Sequence, residues 1–254
     1  MLDPLRQFRL DGSVVIVTGA SSGLGARFAR VLHAVGATVV VTARRVERLD
    51  ELVAELPGAI AIAADVSVAA DRERLVAEAL ERAGRIDVLV NNAGISDVVG
   101  IEQETLETFQ QVLEVNTTAV WHLTKLVVPH MIERGSGSIV NVASMLGHVG
   151  SAPIKQANYC ASKGAVVNLT RELALQLGRK GIRVNALSPG YFPSEMTAGM
   201  ESDEGSVRYI ETYGGMPRMG EDHELDGALL LLASDAGSYI NGHSLLVDGG
   251  FTAR

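Results

Sequence analysis

Seven short runs rich in valine, isoleucine, leucine and threonine punctuate the chain, at 14–18, 38–42, 59–63, 88–90, 138–142, 183–187 and 245–247. Longer segments with helical periodicity fill the gaps, at 23–35, 46–56, 69–83, 105–133, 157–179 and 221–234. Strands separated by helix-length crossovers must pair in parallel, and right-handed crossovers place the helices on the sheet faces. The runs are almost continuously apolar, as strands are when helices cover both sides. The pattern predicts one α/β domain over residues 1–254, a doubly wound parallel sheet of about seven strands. No repeat, low-complexity tract or linker interrupts it.

The exception is the stretch 191–220, rich in Gly, Met, Ser, Glu and Tyr and poor in periodicity. Ligands of open α/β sheets sit beyond the carboxyl ends of the strands. An irregular excursion after the strand at 183–187 is therefore expected to be a substrate lid, with a surface loop or a pair of short helices as the competing reading.

Composition removes whole classes of function. With 47% hydrophobic and 20% charged residues the chain can bury a full core, and it is not a disordered protein. No apolar run reaches the ~18 residues of a membrane span. A net charge of −8, with no basic run longer than Arg44-Arg45, argues against a nucleic-acid partner. The first ten residues lack the apolar core of a signal peptide, and the single Cys160 cannot form an intramolecular disulfide, so a cytoplasmic location is expected. The six histidines show no ligand spacing, and no catalytic metal is expected.

The first strand runs into Gly19, Ser21, Ser22, Gly23, Leu24 and Gly25, and then into an amphipathic helix. Glycines at such a junction let backbone approach an anion, and the helix start offers unpaired N–H groups to phosphate. This predicts a Rossmann-type dinucleotide turn with G-x-x-x-G-x-G spacing. Residues 19–23 also fit the G-x-S-x-G nucleophile elbow of hydrolases, but only 20 residues precede Ser21, too few for the loop that supplies the oxyanion N–H. The second strand ends at Ala43, then Arg44. A carboxylate there would bind the ribose 2′-hydroxyl, whereas an arginine binds a 2′-phosphate, so NADP(H) is favoured over NAD(H). Asp65, after the third strand, is placed to accept from the adenine amino group or to cap the next helix, although Ser67 is the better cap. Asn91 and Gly94 close the fourth strand, where both cofactor contact and sheet capping suit them.

Tyr159 and Lys163 stand four apart at the start of a long helical pattern and share a face. A tyrosine titrates near ~10, and a neighbouring ammonium favours its phenolate, which brings it toward acid/base work. Ser144 follows the strand at 138–142, where a hydroxyl can hydrogen-bond a substrate oxygen as charge develops. Asn116 lies in the apolar register of the helix 105–133, with Leu106, Phe109, Leu113, Val120, Leu123 and Val127. A buried amide in that stripe must hold a partner or a water.

The glycine turn 18–25, the stretch 91–94, Asn116, Ser144, Tyr159-x-x-x-Lys163 and Pro189-Gly190 follow one another in an order that resembles the short-chain dehydrogenase/reductase family. The overall look is similar to its 3-oxoacyl-carrier-protein reductases and its gluconate or glucose dehydrogenases. The resemblance implies hydride transfer between NADP(H) and a ketone or secondary alcohol. Tyr159 would be general acid and base, Lys163 would lower its pKa and bind the nicotinamide ribose, Ser144 would orient the substrate oxygen, and Asn116 would hold a water of a proton relay. Val66, Pro189, Gly190, Phe192 and Ser194 would join the cofactor contacts, and Tyr191 and Met196, with Met216, would line the substrate pocket. The resemblance also implies a homotetramer in which Trp121 and His122 meet a neighbour. The spacing of 15 between Ser144 and Tyr159 is wider than usual for the family, which leaves the substrate open. An acidic acyl-carrier partner is disfavoured, because the helix 105–133 offers it only Lys125, with Arg134 at its end. The competing reading is a regulatory or scaffold protein of the same fold that binds nucleotide without catalysis.

Overall fold

A computed structural model of the chain describes residues 3–253. Seven strands form one wholly parallel sheet in the order β3-β2-β1-β4-β5-β6-β7. They are β1 (Val14–Thr18), β2 (Thr38–Ala43), β3 (Ile60–Ala63), β4 (Val88–Asn91), β5 (Gly137–Val142), β6 (Ile182–Pro189) and β7 (Ser244–Val247), each within two residues of its predicted ends. Alternation along β1 shows why helices are needed on both faces. Val15 and Val17 point into a core shared with Phe28 and Leu32 of α1 (Gly23–Ala34), Leu49 and Leu52 of α2 (Val46–Glu55), and Leu229 and Leu232 of α8 (Asp226–Ala233). Val14 and Ile16 point into the opposite core, with Leu75 of α3 (Ala69–Ala83), Leu123 and Val127 of α5 (Ala119–Arg134), and Leu177 of α6 (Ala157–Leu177). Among the described residues no helix is long and apolar enough to cross a membrane.

Three expectations need correction. The segment 105–133 is not one helix. It is α4 (Leu106–Leu113), a π-helical turn over Glu114–Thr118, and then α5. The extra residue of the π turn breaks the stripe in two, and Leu106, assigned to the buried face, is 71% exposed. The segment 191–220 is not irregular throughout, because it carries α7 (Glu204–Tyr213), capped by an Asp203 carboxylate that accepts from the Ser206 N–H at 2.7 Å. This helix fully buries only Ile210, so its periodic signal is one side chain deep. The ends of the segment meet, with Gly220 N–H donating to the Tyr191 carbonyl at 2.9 Å. Finally, Ser67 does not cap α3, whose N-cap is Val68 without a side-chain bond.

Candidate active site

A cleft of about 700 Å³ opens over the carboxyl ends of the strands, around the point where β1 has β2 on one side and β4 on the other. Successive crossovers leave β1 in opposite directions, so the loops part there. The glycine turn forms one wall. Gly19 has φ +66°, and a Cβ on Gly25 would lie 2.2 Å from the Gly19 carbonyl oxygen. No side chain fits between the turn and α1, whose first residues Gly23, Leu24 and Gly25 line the cleft. Bare backbone at a helix start is a cradle for phosphate, so the residues present fit a dinucleotide. The turn is fastened from β4, where Asn92 Nδ2 donates to the Thr18 carbonyl at 2.9 Å and Thr18 Oγ1 accepts from Asn92 N and Ala93 N at 2.9 and 3.0 Å.

At the end of β2, Arg44 and Arg45 both line the cleft, and both are exposed. Arg45 is the engaged one. Its guanidinium donates to Ser21 Oγ at 2.9 Å, to Ser22 Oγ at 2.8 Å, and to both Glu195 oxygens at 2.8 and 3.1 Å. Asp65 and Val66 line the cleft beside them, with Asp65 Oδ1 accepting from Ser67 N and Oγ at 2.9 and 2.7 Å.

At the other end, β5 delivers Ser144 to the start of a short turn, where its Oγ accepts from Leu146 N at 3.1 Å. Ser144 shares the cleft wall with Tyr159, half-buried on the first turn of α6. One helical turn on, the Lys163 Nζ lies 5.5 Å from the Tyr159 ring centre and donates to the Val142 carbonyl at 2.8 Å. Burial pushes the Tyr159 phenol up to about 12, against the neighbouring Ser144 hydroxyl that draws it down, and burial pushes the Lys163 amine down to about 8. Lys163 is not among the causes that set the Tyr159 phenol in this structure. The amine is aimed at a carbonyl rather than the hydroxyl, and desolvation outweighs what remains. Asn116 Oδ1 accepts from Ile95 N at 2.9 Å, and its Nδ2 donates to Ile95 O and Ser162 Oγ at 2.8 and 3.0 Å. A Cβ on Gly94 would lie 3.4 Å from both Asn116 Oδ1 and Lys163 Nζ, so the amide and the amine converge behind that bare glycine.

Comparison with known proteins matches this geometry over nearly the whole chain. A family profile described as enoyl-(acyl carrier protein) reductase matches residues 19–252. The chain is 40% identical over 247 residues to galactitol 2-dehydrogenase (L-tagatose-forming) of Cereibacter sphaeroides, covering 96% of this chain and 97% of that one. It is 39% identical over 250 residues to gluconate 5-dehydrogenase of Gluconobacter oxydans, covering 96% of each. Among solved structures, a short-chain type dehydrogenase/reductase from Mycobacterium marinum superposes with a TM-score of 0.94 at 35% identity, over 99% of this chain and 100% of that one. The chain belongs to the short-chain dehydrogenase/reductase family. A gluconate 5-dehydrogenase from Burkholderia cenocepacia, solved in complex with NADP and tartrate, superposes at 0.93 with 34% identity, over 99% of this chain and 100% of that one. As a short-chain dehydrogenase/reductase the protein is an oxidoreductase acting on CH–OH donors.

Within this short-chain dehydrogenase/reductase the cleft collects most of the predicted residues, including Gly94, Pro189, Gly190, Phe192, Ser194 and Met196. Four stand off its wall. Asn91 is buried and its Nδ2 donates to Asn141 Oδ1 at 2.9 Å, tying β4 to β5, while its neighbour Asn92 faces the cleft. Adjacent strand residues face opposite sides, and the pair of amides concealed which one did. Asn116 lies behind Gly94, and Tyr191 turns away to pack edge-on against Tyr209 and Phe251. Met216 lies off the wall as well, its N–H bonded to the Gly249 carbonyl at 2.7 Å. Sequence reasoning missed Arg45, whose only signal was its place beside Arg44, and Glu195, which lies 150 residues from its partner and left no signal. It also missed Ser96 and Gln111, which line the cleft.

Proposed function

We propose that the protein transfers hydride between NADP(H) and a small ketone or secondary alcohol, with Tyr159 as the general acid and base. The observation that carries the reading is the gathering of Ser144, Tyr159 and Lys163 at one end of a cleft whose other end is a glycine cradle with two arginines. Bound along this cleft, a nicotinamide dinucleotide supplies or accepts the hydride. Its phosphates belong with the backbone of residues 19–25, and a 2′-phosphate with Arg44, Arg45, Ser21 and Ser22.

The remaining chemistry is the chain's own. The phenol of Tyr159 is held protonated at neutral pH, ready to donate to a developing alkoxide, and Ser144 can donate a second hydrogen bond to the same oxygen. In the oxidative direction the phenolate takes the alcohol proton. Lys163 lies on the same helix face for the ribose hydroxyls, and Asn116, with a carbonyl lone pair facing Gly94, is placed to hold a water between itself and the amine. The segment 191–220 acts as the lid, bringing Phe192 and Met196 to the cleft. Relatives named for galactitol and gluconate favour a small polyhydroxylated substrate. We further assign a homotetramer and a cytoplasmic location, which the exposed Trp121 on α5 and the lone cysteine suit.

The test follows absorbance at 340 nm for a panel of ketones and secondary alcohols with NADP(H) and NAD(H). Turnover by wild type that disappears in Tyr159→Phe supports the reading. Undiminished turnover in Tyr159→Phe defeats the acid/base assignment, and turnover with no member of the panel favours the non-catalytic scaffold.

A further inference from the structure

Glu195 reaches across the cleft from the start of the 191–220 segment to the end of β2. The guanidinium it meets also holds the Ser21 and Ser22 hydroxyls, so Arg45 and two serines make an anion site beside a helix start. The anion now in that site is a side chain of the protein itself. Two observations show that the carboxylate is not locked there. The pair is exposed, 46% for the Arg45 side chain and 64% for Glu195, where ion pairs hold weakly. Glu195 also lines a second cavity of about 460 Å³ on the far side, which includes Arg48, whose charge already acts on the Glu195 carboxyl. Arg48, which also donates to Glu51 at 3.1 Å, is a second cation within the same wall that Glu195 could share.

The end of β2 offers no carboxylate of its own, since Ala43 and Arg44 stand there. Holding a ribose 2′-hydroxyl calls for an acceptor, and holding a 2′-phosphate calls for cations with no carboxylate among them. We propose that Glu195 is a removable carboxylate that sets cofactor choice. Seated on Arg45 it is the acceptor for a 2′-hydroxyl. A 2′-phosphate takes over Arg45, Ser21 and Ser22 by displacing it toward Arg48. The inference rests on reading the cleft as a nicotinamide-dinucleotide site.

Calorimetric titration of the whole protein with adenosine 2′,5′-bisphosphate and with adenosine 5′-monophosphate reads the effect without turnover. Glu195→Gln keeps the side-chain shape and removes its charge. The variant is expected to bind the bisphosphate about fivefold more tightly or better and the monophosphate no more tightly than wild type does. Arg45→Gln is expected to lose about tenfold on the bisphosphate and little on the monophosphate. An unchanged ratio of the two affinities in Glu195→Gln, or an equal rise in both, overturns the latch and leaves the cofactor site standing. If wild type binds neither ligand, the cofactor reading of the cleft falls, and the latch with it.

Discussion

Lys163 has an amine enclosed almost completely, 4% exposed, and satisfied by one carbonyl. In the folded chain it titrates at about 8, below the ordinary 10.5 that it regains on unfolding. Between those values unfolding takes up a proton, so raising the pH favours the folded state. Measured by urea unfolding against Lys163→Met, wild type should gain up to about 3 kcal/mol as pH rises from 8 to 10.5, with no such gain below 8. Tyr159 behaves oppositely, with its folded value near 12 above the ordinary 10. Its phenol stays protonated through neutral pH, so carbonyl reduction should be flat there while alcohol oxidation climbs with pH. Tyr159→Phe should lower kcat by at least about 10²-fold in both directions, with the dissociation constant for cofactor held within about twofold.

The π turn between α4 and α5 sets Asn116 where three hydrogen bonds converge, to Ile95 N, Ile95 O and Ser162 Oγ. Through them the π turn, the loop after β4 and α6 share one polar joint beside Tyr159 and Lys163. Asn116→Ala leaves the Ile95 amide and carbonyl without a side-chain partner in a part-buried site. It should cost about 2–4 kcal/mol in denaturant unfolding. The glycine turn is just as intolerant. A methyl on Gly25 would lie 2.2 Å from the Gly19 oxygen and 2.5 Å from Asn92 Nδ2, so Gly25→Ala must prise β1 from α1. Loss of nucleotide binding in a folded protein, checked by circular dichroism and titration, is the expected result.

Across the molecule, the segment 191–220 is held at both ends and along its length. Its ends join through Gly220 and Tyr191, the Phe192 ring fills the space where a Gly220 Cβ would go, and Met216 N–H bonds the Gly249 carbonyl. Tyr191, Tyr209 and Phe251 then pack the segment onto the C-terminal turn. The residues around Phe251 thereby support this segment. Phe251→Ala empties a buried site and should cost about 3 kcal/mol. It should also raise KM for the carbonyl substrate more than it changes cofactor affinity, because the loosened element borders the substrate end.

The positions and parallel direction of all seven strands, the glycine cradle, and the Tyr159–Lys163 pair with Ser144 were legible in the sequence. Each is written in local terms, as β-branched runs, glycines at a strand–helix junction, or residues one helical turn apart. What lay beyond reach depends on groups brought together from distant parts of the chain. The Arg45–Glu195 pair, the choice of Asn92 over Asn91 at the cleft, and the partners of Asn116 are contacts between elements. The π turn that set the Asn116 register carries no mark in composition. The titration of Tyr159 and Lys163 went the same way, since spacing names the neighbours of a charge but burial fixes how much water it loses, and burial exists only once the chain has closed around it.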